Sequence, residues 1–212
     1  MEGLPQILVA VIPIYILMVV GGGLRRVRVL GPEMDDGLTK LVIHVLYPAL
    51  ILDKVLRAEL LRDPLVVVWA IGVGFTIIVI GLLVALVIGR LIGLRKGTGW
   101  RSFTLTAGVQ NYGYVAIPLL MVFFPENETA VLGLLFTHSL GVELGVWTLG
   151  MFILRGKPFK SPREFVSGPM VAVVVGLLLV FARIDILVEH SKAAEFLFGT
   201  FLNLLHWLGL AA

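Results

Sequence analysis

Seven long apolar runs constrain the fold of this chain more than any other feature of its sequence. A bilayer core about 30 Å thick is crossed by a helix of about 20 apolar residues. Only 15% of the 212 residues are charged and 58% are hydrophobic, whereas soluble domains have about 25% charged residues. The sequence therefore predicts an all-α integral membrane protein that is surrounded by the lipid bilayer. The predicted spans are residues 4–23, 38–56, 65–89, 102–124, 129–154, 166–182 and 194–212.

The basic residues lie mainly on one side of the predicted spans. Of the 17 lysines and arginines, 12 fall in residues 24–40, 90–101 and 155–165, and 5 fall on the opposite side. Because basic connections remain in the cytoplasm, this count predicts a multi-pass protein of the cell membrane with its N-terminus outside. The three basic loops are then cytoplasmic. Topology accounts for the net charge of +3, and no nucleic-acid partner is predicted.

The fourth apolar run, which reads TAGVQNYGYVAIPLLMVFF from Thr106 to Phe124, carries polar and helix-breaking residues at its centre. A proline removes one helical hydrogen bond and clashes with the carbonyl four residues earlier. Glycine costs about 1 kcal/mol of helix propensity relative to alanine. Pro118 and Gly113 therefore predict half-helices over residues 102–110 and 118–124, joined by an unwound or strongly kinked stretch.

The gap between these half-helices has features of a binding site for an anion. Irregular backbone at membrane depth is tolerated only where it is buried in protein or lines a cavity. A helix that begins near Pro118 would present free N–H groups and its positive dipole end to a carboxylate. The alternative is a simple proline kink whose amides bond to a neighbouring helix. The candidate substrate-binding residues are Gln110, Asn111, Tyr112, Gly113, Tyr114 and Pro118.

The fifth apolar run contains an ionisable side chain, Glu143, which is the candidate for ion coupling. A charge at mid-span costs at least about 2.5 kcal/mol. Helical spacing places Glu143 on one stripe with Ser139, while Gly141 and Gly145 lie on the other side, where glycines permit close packing. Two interpretations remain open. Glu143 with Ser139 faces the cavity as a proton or cation site, or Glu143 pairs with a buried polar group and orders the bundle.

Three charged residues end the second apolar run. Asp53 and Arg57 form an i,i+4 pair, and the long side chain of Lys54 can reach the membrane interface. We interpret all three residues as structural.

No enzymatic site is predicted. The chain has no cysteine, and its four histidines have neither metal-ligand spacing nor a nucleophile within evident reach. The sequence therefore predicts no catalytic residue, no metal site and no cofactor.

The fourth run resembles the auxin efflux carrier family, whose fourth span carries a pattern close to N-x-G-x-x-G-x-P-L-L. Ala116 stands where the pattern has its second glycine. The stretch LVIHVLYPALILDKVL resembles the second span of the family, and VELGVWTLGMFIL resembles the end of its fifth span. The residues that match the fourth-span pattern in register are Asn111, Gly113, Pro118, Leu119 and Leu120.

The resemblance implies a secondary active transporter with a five-plus-five inverted repeat and a broken fourth helix. Residues 1–56 and 166–212 would then belong to a scaffold, and residues 65–154 would belong to a mobile transport domain. The implied substrate is a small organic anion, with H⁺ or Na⁺ as candidate coupling ions. Relatives also imply a homodimer formed through the scaffold helices.

Members of this family have ten spans, whereas this chain stops at Ala212, within the segment that resembles the seventh. We therefore expect the chain to be a truncated part of a longer carrier. The alternative function is a non-transporting membrane sensor or regulatory module that shares the same helices.

Overall fold

The computed structural model describes residues 3–95, 97, 99–111, 113, 115–156, 167–189 and 191–211. Every regular element among these residues is helical, as the sequence predicts. A π-helical turn at Val42–Leu46 joins α2 to α3, and a second at Val146–Gly150 joins α7 to α8. The helices are α1 (Gly3–Arg26), α2 (Pro32–Leu41), α3 (Tyr47–Arg57), α4 (Pro64–Leu91), α5 (Trp100–Gly108), α6 (Ala116–Phe123), α7 (Glu128–Gly145), α8 (Met151–Arg155), α9 (Gly168–Phe181), α10 (Ile184–Glu189) and α11 (Lys192–Leu210).

Each of the seven predicted apolar runs contains helix, which confirms the prediction of an all-α integral membrane protein. Among the described residues, four helical stretches are long and apolar enough to cross a membrane on their own. The other three runs are the second, which contains a π-helical turn, the fourth, which is broken, and the sixth, where α9 has 14 residues. The four long stretches are Ile7–Arg26, Pro64–Leu91, Pro125–Arg155 and Lys192–Leu210.

Helices α4 and α7 pack closely because glycines face the opposing backbone. A Cβ atom on Gly141 would collide with the Ile71 carbonyl oxygen, and one on Gly74 would collide with the His138 carbonyl oxygen. A Cβ on Gly145 would lie 2.8 Å from Ile78 Cγ2. The predicted close packing of Gly141 and Gly145 is therefore confirmed, with α4 as the partner helix.

Helix α3 packs against α7, α9 and α11. Its side chains Ile51 and Val55 are buried in one apolar cluster with Phe136 of α7 and Val173 of α9. A Cβ on Gly176 would lie 2.8 Å from Val55 Cγ1, so the glycine lets α9 approach α3. This cluster and the α4–α7 contact place α7 between two neighbours.

Helix α1 contacts α6 and otherwise presents apolar side chains outward. Leu17 and Val19 are 70% and 75% exposed. In water such a surface would cost free energy in proportion to its apolar area, whereas lipid acyl chains accept it without that cost.

Candidate functional site

The fourth apolar run is broken where the sequence predicts. Helix α5 ends at Gly108 and α6 begins at Ala116, and the described residues between them are not helical. Helix α6 starts two residues before Pro118, so the proline lies in its first turn. The first N–H groups of a helix have no partner inside the helix, and proline therefore loses no hydrogen bond there.

A contact between two glycines positions the end of α5. A Cβ on Gly81 of α4 would collide with the Gly108 carbonyl oxygen, and one on Gly108 would lie 3.0 Å from the Gly81 carbonyl oxygen. The last turn of α5 is closed by Val109 N–H, which donates to the Leu105 carbonyl at 3.2 Å. The backbone of α5 is therefore held against α4 immediately before the gap.

Four of the candidate substrate-binding residues are described, three of them between α5 and α6 and one in α6. Gln110 is half-buried and Asn111 is exposed, while Pro118 is half-buried in α6. The Gly113 carbonyl accepts a hydrogen bond of 3.0 Å from Ile117 N–H at the start of α6. Two further candidates, Tyr112 and Tyr114, lie outside the described residues.

Tyr47 also reaches the gap, and the sequence reasoning did not single it out. A Cβ on Gly113 would lie 3.4 Å from the Tyr47 hydroxyl oxygen. The Tyr47 ring packs edge-on against Phe136 of α7, with the ring centroids 5.9 Å apart. Tyr47 is the first residue of α3, so the beginning of α3 lies beside the gap in the broken helix. The sequence offers one indication of this position, a tyrosine directly before Pro48 in an otherwise apolar run.

Glu143, on α7, lies beside the N-terminus of α9. Ser167 Oγ donates to Glu143 Oε2 at 2.8 Å and accepts from the Met170 N–H at 3.1 Å, so Ser167 also caps α9. A carboxylate is favourable at this positive end of the helix dipole. Of the two interpretations of Glu143, the one in which it pairs with a polar group and orders the bundle therefore has an identified partner, the half-buried Ser167.

The second coupling candidate, Ser139, is buried, and its hydroxyl donates to the Phe136 carbonyl at 2.6 Å. The hydrogen bonds found among the described residues join neither Ser139 nor Glu143 to Gln110 or Asn111. Within the described ranges, no group of three or more histidine, aspartate or glutamate side chains could hold a metal ion.

Helices with an unwound stretch form the binding sites of many membrane transporters. The family model described as "Membrane transport protein" matches residues 6–166. The chain belongs to this family, which is the auxin efflux carrier family that its sequence resembles. No curated protein and no solved structure matches this chain.

Proposed function

We propose that this membrane transport protein acts in secondary active transport, as an efflux carrier of a small organic anion that binds in the gap between α5 and α6. The observation that carries the proposal is the gap itself. Its backbone is not helical at Val109, Gln110 and Asn111, and the last two of these residues have amide side chains. Unwound backbone inside an apolar bundle is retained where it serves a ligand or is buried in protein.

The chemistry of the gap favours an anion. The residue that precedes α6, Val115, gives the helix no side-chain cap. The positive end of the α6 dipole can then face a carboxylate, because the Val115 side chain does not cap the helix. The side-chain amides of Gln110 and Asn111 add neutral donors, which fit a small organic acid.

We further propose that residues 65–154 move as a transport domain against a scaffold of residues 1–56 and 166–212. The packing of α4 against both α5 and α7 supports the first group, and the packing of α3 against α9 and α11 supports the second. Exposed apolar faces of the scaffold helices are available for a homodimer. Glu143, with Ser139 beside it, is the proposed coupling site for H⁺ or Na⁺.

The proposed orientation has the N-terminus outside and the basic loops 24–40, 90–101 and 155–165 in the cytoplasm. A Cβ on Gly156 would lie 2.6 Å from Arg101 Nη1. Two of the three basic loops therefore adjoin, which supports their assignment to one side of the membrane.

Uptake into proteoliposomes tests the proposal. We expect proteoliposomes that contain this chain, alone or as part of a longer carrier, to take up at least one member of a panel of ¹⁴C-labelled mono- and dicarboxylates when an ion gradient is imposed. Asn111→Ala and Pro118→Ala should each abolish that uptake, because one removes a donor and the other changes the start of α6. Asn203→Ala is the matched control, since Asn203 is an exposed asparagine on α11.

Membrane insertion of all variants is measured by their yield in the membrane fraction. Unchanged uptake in both gap variants would contradict the proposed site. Binding of a carboxylate without uptake would instead support the sensor or regulatory module.

A further inference from the structure

A network of charged side chains lies where α3 ends. Asp53 is 1% exposed and accepts a hydrogen bond of 2.8 Å from Arg57 Nε, so the predicted i,i+4 pair is confirmed. The other oxygen of Asp53 lies 3.3 Å from His206 Nδ1 on α11. These contacts join α3 to α11, and both helices belong to the proposed scaffold.

Lys54 extends the network to α7. Lys54 Nζ donates to Glu128 Oε1 at 2.7 Å, which agrees with the structural role predicted for this lysine. The predicted reach of its side chain to the membrane interface stays a prediction. The Lys54 side chain is only 10% exposed, against 33% for Glu128. Glu128 is the first residue of α7, so this ion pair, which we name the gate pair, joins α3 to α7.

The gate pair borders a polar cavity of about 670 Å³ between the ends of α3, α7 and α11. Lys54, Arg57 and His206 line it together with Glu59, Glu126 and Glu128. A lining that carries both signs favours ion pairs within the protein over a single bound ion. The cavity therefore gives the charged side chains room to exchange partners.

The two partners of the gate pair can separate without leaving a buried charge alone. Removing one partner of a buried ion pair is costly because the other charge remains without compensation. Here Asp53 Oδ2 lies 3.9 Å from Lys54 Nζ and would stay beside it. Glu128 is partly exposed already and would turn to water. The gate pair therefore has the properties of a contact that opens and closes.

We infer that the gate pair holds the beginning of α7 against α3 in this conformation and opens when α7 moves. The inference rests on the proposed function in one respect, the assignment of α3 to the scaffold and of α7 to the moving domain. The contacts of Asp53 with Arg57 and His206 lie within the scaffold and stay intact during this motion. The charge network thus has a permanent part and a separable part.

Ala58 can report on this contact because it lies against α7 next to the backbone of Lys54. It is 2% exposed, and a Cβ on Gly133 of α7 would lie 2.5 Å from the Ala58 Cβ. The native chain has no cysteine, so Ala58→Cys provides a single thiol. That thiol reacts with a polar maleimide only when α7 separates from α3, and its reaction rate measures the open fraction.

The experiment measures labelling of the full chain in open membrane fragments, where both membrane faces are accessible. In the Ala58→Cys background, Glu128→Gln and Lys54→Gln should each raise the labelling rate about threefold or more, since even modest ion pairs contribute up to about 1 kcal/mol. Asp185→Asn is the matched control. It removes an ion pair of 2.6 Å with Arg62 whose side chains are 40% and 37% exposed, and should leave the rate unchanged.

The double variant Lys54→Gln/Glu128→Gln should label no faster than the faster single variant, because both changes remove one interaction. An unchanged rate in Glu128→Gln, or an equal rise in Asp185→Asn, would overturn the inference. If Ala58→Cys fails to reach the membrane, Leu132→Cys on α7 takes its place as the thiol, because Leu132 is 1% exposed and lies in the same apolar cluster as Ala58. Labelling needs no substrate, so a failure of carboxylate uptake is a separate result from a failure of the gate pair.

Discussion

Helix α7 packs against its neighbours through two different kinds of surface. Toward α4 it presents Gly141 and Gly145, which bring the helix against the backbone or the Cβ branch of α4 residues. Toward α3 and α9 it presents side chains, with Phe136 on Tyr47, Glu128 on Lys54, and Glu143 on Ser167. The first surface has two glycines at its closest approaches, whereas the second combines one such approach, at Gly133, with side-chain hydrogen bonds and an ion pair.

This difference indicates which neighbour α7 can leave. Contacts between backbones fit in one register only, because any sliding brings other residues into the place of a glycine. Hydrogen bonds and ion pairs can be exchanged for water or for a second partner, and domain motions occur at such interfaces. This difference supports the proposal that α4 and α7 move as one body and that α7 separates from α3 and α9.

Gly141→Ala tests the rigid side and should have the largest effect on stability. The new Cβ would collide with the Ile71 carbonyl oxygen, and such overpacking costs about 3 kcal/mol. We expect a clear fall in the melting temperature of the detergent-solubilised protein. The melting temperature is measured by size-exclusion chromatography of samples heated to increasing temperatures. Gly72→Ala is the control, because nothing lies within 4 Å of a Cβ on Gly72. Equal melting temperatures for both variants would contradict the rigid contact.

Exchange of a methyl group between α3 and α7 tests the separable side. Gly133→Ala alone should cost about 1–2 kcal/mol, because the new Cβ meets Ala58 Cβ at 2.5 Å and the Lys54 carbonyl at 3.0 Å. Adding Ala58→Gly removes the first of these clashes and should recover more than half of the lost stability. The same heating assay measures both. A double variant no more stable than Gly133→Ala would show that the two helices do not meet at these residues.

Glu143→Gln should have the smallest effect on stability, about 1 kcal/mol or less. Glutamine keeps an oxygen that accepts from Ser167, so the contact with α9 survives. The variant cannot bind or release a proton, however, so carboxylate uptake should lose its dependence on pH. Ser167→Ala keeps the carboxyl group and should retain a pH dependence. A wild-type pH profile in Glu143→Gln would return this residue to a structural role.

The sequence predicts the features that depend on neighbouring residues. Pro118 and Gly113 locate the break within a few residues, because helix propensity and the missing N–H are local properties. The helical period places Gly141 and Gly145 opposite Glu143, as observed. The period gives the face of a helix but does not name the helix that packs against it.

The contacts that the sequence does not predict join residues far apart in the chain. Lys54 and Glu128 are 74 residues apart, and Glu143 and Ser167 are 24 apart. Lysine at a helix end can extend to water or fold back to a partner, and only the position of α7 decides between them. Tyr47 reaches the gap for the same reason, since its neighbour Gly113 lies between α5 and α6, more than 60 residues along the chain.

The contact between Gly81 and Gly108 also indicates how deep in the bilayer the gap lies, and therefore which fraction of the membrane potential separates it from each surface. Gly81 precedes Leu91, the end of α4, by ten residues, which is about 15 Å of helix and about half of a 30 Å bilayer core. A singly charged anion that leaves the gap toward either surface would then cross about half of the membrane potential. At about 2.3 kcal/mol per charge for each 100 mV across the whole membrane, each half of the passage carries about 1 kcal/mol of voltage dependence.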